Sequence, residues 1–225
     1  MKDYSEKHKK AWEYDAYDFW VTHEGTPEER AKEDAADPRK MLRKYANYFE
    51  QFDGVKIANI CGSCGKKAIP LALLGAEVTV FDISEANRRY ALETAQAANV
   101  NLRYEVCDVL EIDLAKYAQV FDVVFMEGGI LHYFHDINEF MKMMYAILKP
   151  GGKMICSDFH PFTKILDTLK LERPTMSYFP RKSMKEKWRM RGSMMRRFAG
   201  RFLNACTGDI PSERLSMPSS KMDLF

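Results

Sequence analysis

The stretch from residue 55 to residue 84 constrains the fold more than any other part of this sequence. It opens with an apolar run too short for a globular helix and typical of a strand buried on both faces of a parallel sheet. A turn of small residues at 61–65 follows, then a helix that Gly75 ends, then a second strand that ends at Asp82. The order of strand, turn, helix, strand and carboxylate is half of a nucleotide-binding fold.

The turn at 61–65 reads Cys-Gly-Ser-Cys-Gly, and the small size of these residues lets a ligand approach the backbone closely. The amides that open the next helix would face such a ligand. A carboxylate about 20 residues beyond a turn of this kind is placed to accept hydrogen bonds from a ribose diol. The segment therefore predicts that Asp82 binds the ribose of a nucleotide-like ligand.

Three more strands are predicted at 102–106, 121–126 and 152–157, after the first two at 55–60 and 77–81. A helix from Glu85 to about Ala98 begins at Ser84, which is a good N-cap residue. A second helix precedes the last strand, and its apolar residues step at helical spacing. They are Ile137, Phe140, Met141, Met144, Tyr145 and Leu148. This methionine-rich face is predicted to pack in the core.

The segment resembles the cofactor-binding core of the class I S-adenosylmethionine-dependent methyltransferases. The family's turn follows the pattern D/E-x-G-x-G-x-G, and the corresponding places here hold Asn59, Cys61, Ser63 and Gly65. The match from Gly75 to Asp82 is better. The feature most specific to the family is the L-K-P-G-G sequence at 148–152, which lies between a helix and the fifth strand.

This resemblance implies a doubly wound, Rossmann-like α/β sheet in the strand order 3-2-1-4-5, with S-adenosylmethionine bound across the carboxyl ends of the strands. An acidic residue after the third strand meets the adenine amino group in the family, and Asp108 is the candidate here. The cofactor-binding residues that the resemblance implies are Asn59, Cys61, Gly62, Ser63, Gly65, Asp82, Ile83, Asp108, Val109, Glu127 and Gly128.

The implied reaction is in-line methyl transfer to a small-molecule acceptor that the sequence does not identify. Because the cofactor is already activated, the protein mainly positions and desolvates the reactants, and no catalytic triad is needed. His132, Tyr133 and Tyr17 are the candidate catalytic residues. His132 and His135 lack further ligands at metal-binding spacing, so we expect no metal site.

Residues 1–50 are predicted to form a helical extension, with one helix starting at the Thr-Pro-Glu-Glu sequence of residues 26–29. The simpler interpretation is an amphipathic extension that packs on the sheet. The alternative is a lid over the cofactor, as in methyltransferases that resemble this chain, with Tyr17 or Trp20 near the substrate. Residues 51–179 are predicted to be the S-adenosylmethionine-binding methyltransferase domain.

Residues 180–225 are predicted to be a basic, irregular tail, with 11 lysines and arginines against 4 acidic residues. The family normally continues with a helix and two antiparallel strands, which this tail does not suggest. One hypothesis is a reading-frame change near Pro180, because an alternative frame can encode YTLREIINAVIQNGF, which resembles the family's helix before the last strands. An aberrant tail of this kind would impair catalysis.

The sequence is also compatible with other functions. Cys61 and Cys64 have the C-x-x-C spacing of a redox dithiol, although the turn and the following strands argue against it. An NAD-dependent enzyme shares the first strands but would have a G-x-G-x-x-G turn. A non-catalytic S-adenosylmethionine-binding module is a further alternative, with nucleic acid on the tail. The tail residues for that contact are Trp188, Arg189, Arg191, Arg196, Arg197, Phe198, Arg201 and Phe202.

Composition adds three expectations about the environment. The formal net charge of +2 gives no global case for nucleic-acid binding. No apolar run of 18 residues is present in the sequence, so we predict no membrane span, no signal peptide and a cytoplasmic location. Five cysteines, an odd number, indicate reduced thiols.

Overall fold

The computed structural model describes residues 2–159, in which five parallel strands form one sheet. The strands are β1 (Lys56–Ile60), β2 (Glu77–Asp82), β3 (Arg103–Val106), β4 (Phe121–Glu127) and β5 (Leu148–Ser157). Their order is β3-β2-β1-β4-β5, and every neighbouring pair is parallel. The predicted α/β class and strand order are therefore confirmed.

Helices precede the sheet and connect its strands. They are α1 (Lys2–Glu13), α2 (Ala16–Glu24), α3 (Pro27–Ala36), α4 (Pro38–Met41), α5 (Ala68–Leu73), α6 (Glu85–Ala97), α7 (Leu114–Tyr117) and α8 (Ile137–Ile147). Three 3-10 turns lie at Arg43–Tyr48, Val109–Glu111 and Leu131–Tyr133. Strands that alternate with helices give the parallel crossovers that this sheet requires.

The two faces of the sheet are both buried. In β4, Val123 and Phe125 belong to the core cluster on the side of the N-terminal extension, and the Tyr45 and Phe125 rings contact edge to face at 5.4 Å. Val124 and Met126 alternate with them and pack in the other cluster, which includes buried residues of α8. Burial on both faces explains why the strands read as continuous apolar runs.

Local sequence signals set several of the observed element ends. Ser84 caps α6 by accepting a hydrogen bond from the Asn87 amide at 3.1 Å, as predicted. Gly75 follows α5 with a φ of +97°, which agrees with the expected left-handed stop. Thr26 and Glu29 form a reciprocal capping box at the start of α3.

Two details differ from the sequence-based expectations. Strand β5 begins at Leu148, which pairs with Phe121, rather than at residue 152, because a register irregularity in the pairing with β4 accommodates the Pro-Gly-Gly sequence. On α8, Tyr145 is 82% exposed, and the buried face consists of Phe140, Met144 and Ile147. These three residues step by four and three, so the stripe is narrower than predicted.

The predicted domain boundaries stay predictions. The irregular basic tail at 180–225, the missing antiparallel strands and the reading-frame hypothesis all concern residues outside the described range. Between residues 2 and 159, no helix is both long enough and apolar enough to cross a membrane.

Candidate functional site

A cavity of about 480 Å³ lies at the carboxyl ends of the parallel strands. Ligands of open α/β sheets bind at this edge, where the connections diverge on either side of the first strand. The cavity wall contains Ser5, His8, Trp12, Cys61, Ser63, Asp82, Ile83, Cys107, Asp108, Val109, Leu110, Glu127, Gly128, Gly129, Ile130, Tyr133, Phe134, His135 and Asp136. Its volume falls within the range of about 300–1,000 Å³ that small-molecule sites occupy.

The turn after β1 has the backbone conformation of a glycine-rich loop, although other residues occupy some of the glycine positions. Cys61 and Ser63 have φ values of +49° and +51°, and Gly65 has a φ of +79°. Residues that carry a side chain rarely adopt this left-handed backbone conformation, because it costs roughly 1–2 kcal/mol per non-glycine residue. The alternating left-handed positions that the family fills with glycine are therefore kept here by Cys and Ser.

Glycines 62 and 65 are needed for packing behind the cavity wall. A Cβ at Gly62 would lie 2.5 Å from Asn59 Oδ1 and 2.8 Å from a Val80 methyl carbon. A Cβ at Gly65 would lie 3.1 Å from the Ala91 Cβ of α6. These close approaches let the turn lie directly on β1, β2 and α6, which brings its backbone to the cavity.

Asp82 ends β2 and is buried in the cavity wall. Its carboxylate accepts hydrogen bonds from the Ser63 amide at 3.0 Å, the Ser84 amide at 3.0 Å and Asn87 Nδ2 at 3.3 Å. Burial raises the pKa of Asp82, and the three donors partly offset that effect. The contacts hold the carboxylate in place between the turn and the start of α6.

Asp108 follows β3 and lies in the same wall as Asp82. Its Oδ1 accepts a hydrogen bond from the Leu110 amide at 2.9 Å, so it caps the short 3-10 turn that follows. Its Oδ2 accepts a hydrogen bond from the Ser5 hydroxyl of α1 at 2.6 Å. The carboxylate therefore joins the predicted adenine end of the site to the N-terminal helix.

Helix α1 covers one side of the cavity with Ser5, His8 and Trp12, which are spaced on one helical face. The Tyr133 ring contacts His8 edge to face at 5.2 Å and Trp12 at 6.5 Å between ring centroids. Burial lowers the pKa of His8, while the nearby Asp108 carboxylate opposes this shift. The N-terminal extension thus supplies an aromatic wall to the site.

The end of α1 is attached to the start of α6. The Glu13 carboxylate accepts hydrogen bonds from the Glu85 amide at 2.5 Å and the Ala86 amide at 3.2 Å. The Ser84 hydroxyl donates to the Trp12 carbonyl at 3.4 Å. Carboxylates are stabilising near a helix N-terminus, so Glu13 holds the end of α1 against the start of α6.

The loop after β4 forms the opposite wall. Gly128 and Gly129 have φ values of +89° and +88°, which only glycine adopts readily. The Asp158 carboxylate, just beyond β5, accepts hydrogen bonds from the Ile130 amide at 2.8 Å and the Leu131 amide at 2.6 Å. Asp158 thereby fixes the 3-10 turn that carries Tyr133 into the cavity.

The structure brings most of the candidate binding residues together. Eight of them line the cavity: Cys61, Ser63, Asp82, Ile83, Asp108, Val109, Glu127 and Gly128. Asn59, Gly62 and Gly65 lie behind its wall: Asn59 is buried, and its Nδ2 donates to the Phe125 carbonyl at 3.4 Å. The assignment of these three residues as cofactor-binding residues stays a prediction. Their observed position supports the turn from behind.

The three candidate catalytic residues occupy different places. Tyr133 lines the cavity, whereas the His132 ring packs against Tyr133 at a tilt and is not part of the wall. Tyr17 of α2 packs against α6: its hydroxyl donates to Glu93 and its ring contacts Tyr90 at 6.0 Å between centroids. Trp20, considered as a lid residue, donates from Nε1 to Asn87 Oδ1 at 2.7 Å.

Sequence reasoning missed the contribution of α1. Ser5, His8 and Trp12 share one helical face, and this spacing was the available signal in the sequence. Seven further residues line the cavity that were not predicted as binding residues: Cys107, Leu110, Gly129, Ile130, Phe134, His135 and Asp136. They are loop neighbours of predicted residues, which sequence spacing does not orient.

The thiols of the turn lie in surroundings that disfavour redox chemistry. Burial raises the pKa of Cys64 to about 12, and burial with nearby carboxylates raises that of Cys61 well above its usual value. Reactive cysteines need the opposite shift, because the thiolate is the nucleophile. Among residues 2–159, no group of three or more His, Cys, Asp or Glu side chains is arranged to hold a metal ion.

A larger depression of about 890 Å³ lies at the amino ends of the strands, lined in part by Lys56, Glu77 and Arg103. This is the edge opposite to the one at which open α/β sheets bind ligands. Lys56 and Glu77 approach each other at 4.0 Å, so their charges are partly balanced. The cavity at the carboxyl ends is therefore the better candidate site.

Residues 57–152 match the model of a protein family described as a methyltransferase domain. This part of the chain is similar to a methyltransferase domain. The match contains nearly all of β1, the whole of β2 to β4 and the first half of β5, together with the cavity residues from Cys61 to Asp136. It confirms the family resemblance that the turn, the second strand and the L-K-P-G-G sequence indicated.

Curated relatives agree with this assignment. The ubiquinone biosynthesis O-methyltransferase of Caulobacter vibrioides is 33% identical over 121 residues, which cover 53% of this chain and 47% of the relative. The enzyme of the same name from Mesorhizobium japonicum is 34% identical over 116 residues, which cover 51% of this chain and 45% of the relative. The chain thus matches about half the length of these relatives.

Among solved structures, the chain is similar to an S-adenosylmethionine-dependent methyltransferase from Mesorhizobium loti. The sequence identity is 23% and the TM-score is 0.47. The likeness covers 54% of this chain and 53% of that one.

Proposed function

We propose that the protein is an S-adenosylmethionine-dependent methyltransferase. The observation that carries the proposal is the coincidence of the methyltransferase-domain match with a cavity whose wall holds Asp82 and Asp108 at the ends of adjacent strands. The two carboxylates are suited to the ribose diol and to an adenine amino group. Their positions follow from the parallel register of β2 and β3.

The residues of the cavity suit this cofactor on structural grounds. The turn backbone lies close against β1 because Gly62 has no Cβ, and this packing supports Cys61 and Ser63 in the cavity wall. Ser63, in the wall, has a buried hydroxyl with no hydrogen-bond partner among the described residues. Such a group is satisfied most simply by a polar ligand.

Each part of the wall has a separate task in this proposal. Asp82 accepts hydrogen bonds from the ribose, and Asp108 accepts one from the adenine amino group in place of Ser5. When bound, the cofactor supplies an activated methyl group, so the protein does not need to generate a strong electrophile. The chain's own contribution is to hold the reactants in line and to exclude water.

The proposed acceptor is a small molecule that enters beside Tyr133. The relatives are named as O-methyltransferases of ubiquinone biosynthesis, which supports a hydroxyl group as the acceptor class. Tyr133, Trp12 and Phe134 supply aromatic surface that suits a flat or apolar acceptor. Tyr133 is the residue that we carry forward as a candidate for contact with the reacting group. A cytoplasmic location is part of the same proposal.

The experiment that tests the cofactor site is calorimetric titration with S-adenosylhomocysteine. Replacing Asp82 with asparagine should weaken binding about tenfold to a hundredfold, because hydrogen bonds to a charged acceptor contribute about 1.5–3 kcal/mol. Protonation should act similarly, since Asp82 must be ionised to accept from the diol. As pH is lowered, the affinity should therefore begin to fall before pH reaches 3.8, the ordinary pKa of aspartate, because burial raises the pKa of Asp82.

The matched control is Asp113→Asn. Asp113 caps the exposed start of α7, accepts from the Ala115 amide at 2.9 Å and lies outside the cavity wall. A folded Asp82→Asn protein with wild-type affinity would overturn the site assignment. Cofactor binding without methyl transfer to any member of a broad hydroxyl, amine and thiol panel would favour the non-catalytic binding module instead.

A further inference from the structure

Ser63 combines two unfavourable features at one position. Its backbone has a φ of +51°, a conformation that a residue with a Cβ adopts at a cost. Its hydroxyl oxygen is buried and has no hydrogen-bond partner among the described residues. A glycine at this position would avoid both penalties, so the serine side chain needs an explanation beyond the shape of the turn.

The backbone of Ser63 is held on both sides. Its amide donates to Asp82 Oδ2 at 3.0 Å, and its carbonyl accepts a hydrogen bond from the Tyr104 hydroxyl at 2.8 Å. These contacts fix the residue in the cavity wall directly beside the carboxylate proposed to bind the ribose. Ser63 therefore lies in the same part of the cavity wall as Asp82.

We propose that the Ser63 hydroxyl makes a hydrogen bond to a ribose hydroxyl of the bound nucleoside, beside the contacts of Asp82. This inference rests on the proposed function, since it needs an S-adenosyl ligand in the cavity. A serine hydroxyl both donates and accepts, so it complements a diol whose protons are directed to Asp82. The contact is one that the glycine of the usual family turn does not provide.

The test uses two substitutions, of which only one changes the strain in the backbone. Ser63→Ala keeps the Cβ and removes the hydroxyl, and Ser63→Gly removes both. Each should weaken S-adenosylhomocysteine binding about threefold to tenfold, as expected for one neutral hydrogen bond. Only Ser63→Gly should also raise the melting temperature, because it relieves the left-handed strain. A role confined to the turn would predict unchanged or tighter binding in the more stable variant.

Gln119→Gly is the matched control for strain relief. Gln119 has a φ of +54°, is exposed and precedes β4 at the opposite edge of the sheet. This variant should raise the melting temperature and leave the affinity for S-adenosylhomocysteine unchanged. Any affinity loss in Ser63→Gly is then due to the missing side chain and not to the new glycine.

Ligand analogues identify the atom contacted. The affinity ratio between wild type and Ser63→Ala should approach one for either the 2′-deoxy or the 3′-deoxy analogue of S-adenosylhomocysteine. Wild-type affinity in both Ser63 variants would overturn the inference while leaving the proposed function intact. An undiminished ratio with both analogues would also overturn the ribose contact. Failure of the wild-type protein to bind S-adenosylhomocysteine would instead remove the proposed function itself.

Discussion

At the scale of single residues, the turn after β1 shows that backbone conformation can be kept while side chains differ. Cys61 and Ser63 take the left-handed conformation that glycine would take in the family pattern. They can do so because the rest of the turn is fixed by tertiary contacts, such as the Cys61 amide donating to the Phe81 carbonyl at 2.7 Å. Strain of this kind persists only where surrounding structure enforces it.

The cysteines of the turn give a prediction about thiol reactivity. Burial raises the pKa of both Cys64 and Cys107 to about 12. At pH 8 only about one such thiol in ten thousand is ionised, so alkylation should be slow. Cys156 is exposed and should react with iodoacetamide first among the cysteines of the described region. Peptide mapping by mass spectrometry measures the order of labelling.

Urea-unfolded protein serves as the control for that labelling, because all cysteines should then react at similar rates. Fast labelling of Cys61 and Cys64 in the native protein, or an internal disulfide between them after mild oxidation, would contradict the prediction. That result would also revive the interpretation of C-x-x-C as a redox pair.

At the scale of secondary-structure elements, α1 decides how enclosed the cavity is. It is attached at one end through Ser5 to Asp108 and at the other through Glu13 to the start of α6. Between these contacts, His8 and Trp12 pack against Tyr133. The lid interpretation of the extension is thus supported for α1, whereas Tyr17 and Trp20 of α2 pack on α6.

The docking of α1 should depend on pH through His8. Burial lowers the His8 pKa below 6.5, so the docked helix favours the neutral imidazole. As pH falls below 6.5, the undocked helix binds a proton before the docked helix does, and docking weakens. Hydrogen-exchange protection of α1 amides, corrected for intrinsic rates, should therefore decrease between neutral and mildly acidic pH.

A His8→Phe variant should lose this pH dependence while keeping a ring against Tyr133. His23→Phe, at an exposed position on α2, is the control and should behave as the wild type does. If protection of α1 in His8→Phe fell with pH as much as in the wild type, another group would control the docking.

At the scale of the whole described region, the N-terminal extension is part of the core and not an appendage. Asp34 of α3 is 0% exposed and pairs with Arg30 at 2.5 Å. Arg30 also contacts Glu24 at 2.9 Å, and Glu24 in turn pairs with Lys66 at 2.7 Å, just beyond the turn. These ion pairs therefore connect the extension to the segment between the turn and α5.

Removing one member of this network should be costly. Asp34→Ala leaves the Arg30 guanidinium buried without its closest carboxylate, and such a loss costs about 3–5 kcal/mol of unfolding free energy. Glu33→Ala is the control, since Glu33 is 60% exposed and should change the stability by less than about 0.5 kcal/mol. Urea unfolding followed by circular dichroism measures both values. A loss below about 1 kcal/mol for Asp34→Ala would show that the network is hydrated or rearranges.

The sequence by itself determined the order of elements from β1 to β5 and the identity of the carboxylates at the strand ends. These features follow from local physics: apolar runs, helical spacing, N-caps at Ser84 and Thr26, and a left-handed stop at Gly75. The parallel arrangement then places Asp82 and Asp108 at one edge, because adjacent strands run in the same direction.

Only the tertiary structure decided which side chains complete the cavity. Ser5 and Asp108 are separated by 103 positions, and no local pattern relates them. The same holds for the Tyr104 hydroxyl, which fixes the left-handed Ser63 across 41 positions. Helical spacing shows that Ser5, His8 and Trp12 share a face, but the surface that this face meets depends on the packing of the whole sheet. Contacts between distant segments are set by that packing, and periodicity in the sequence reports only on neighbours.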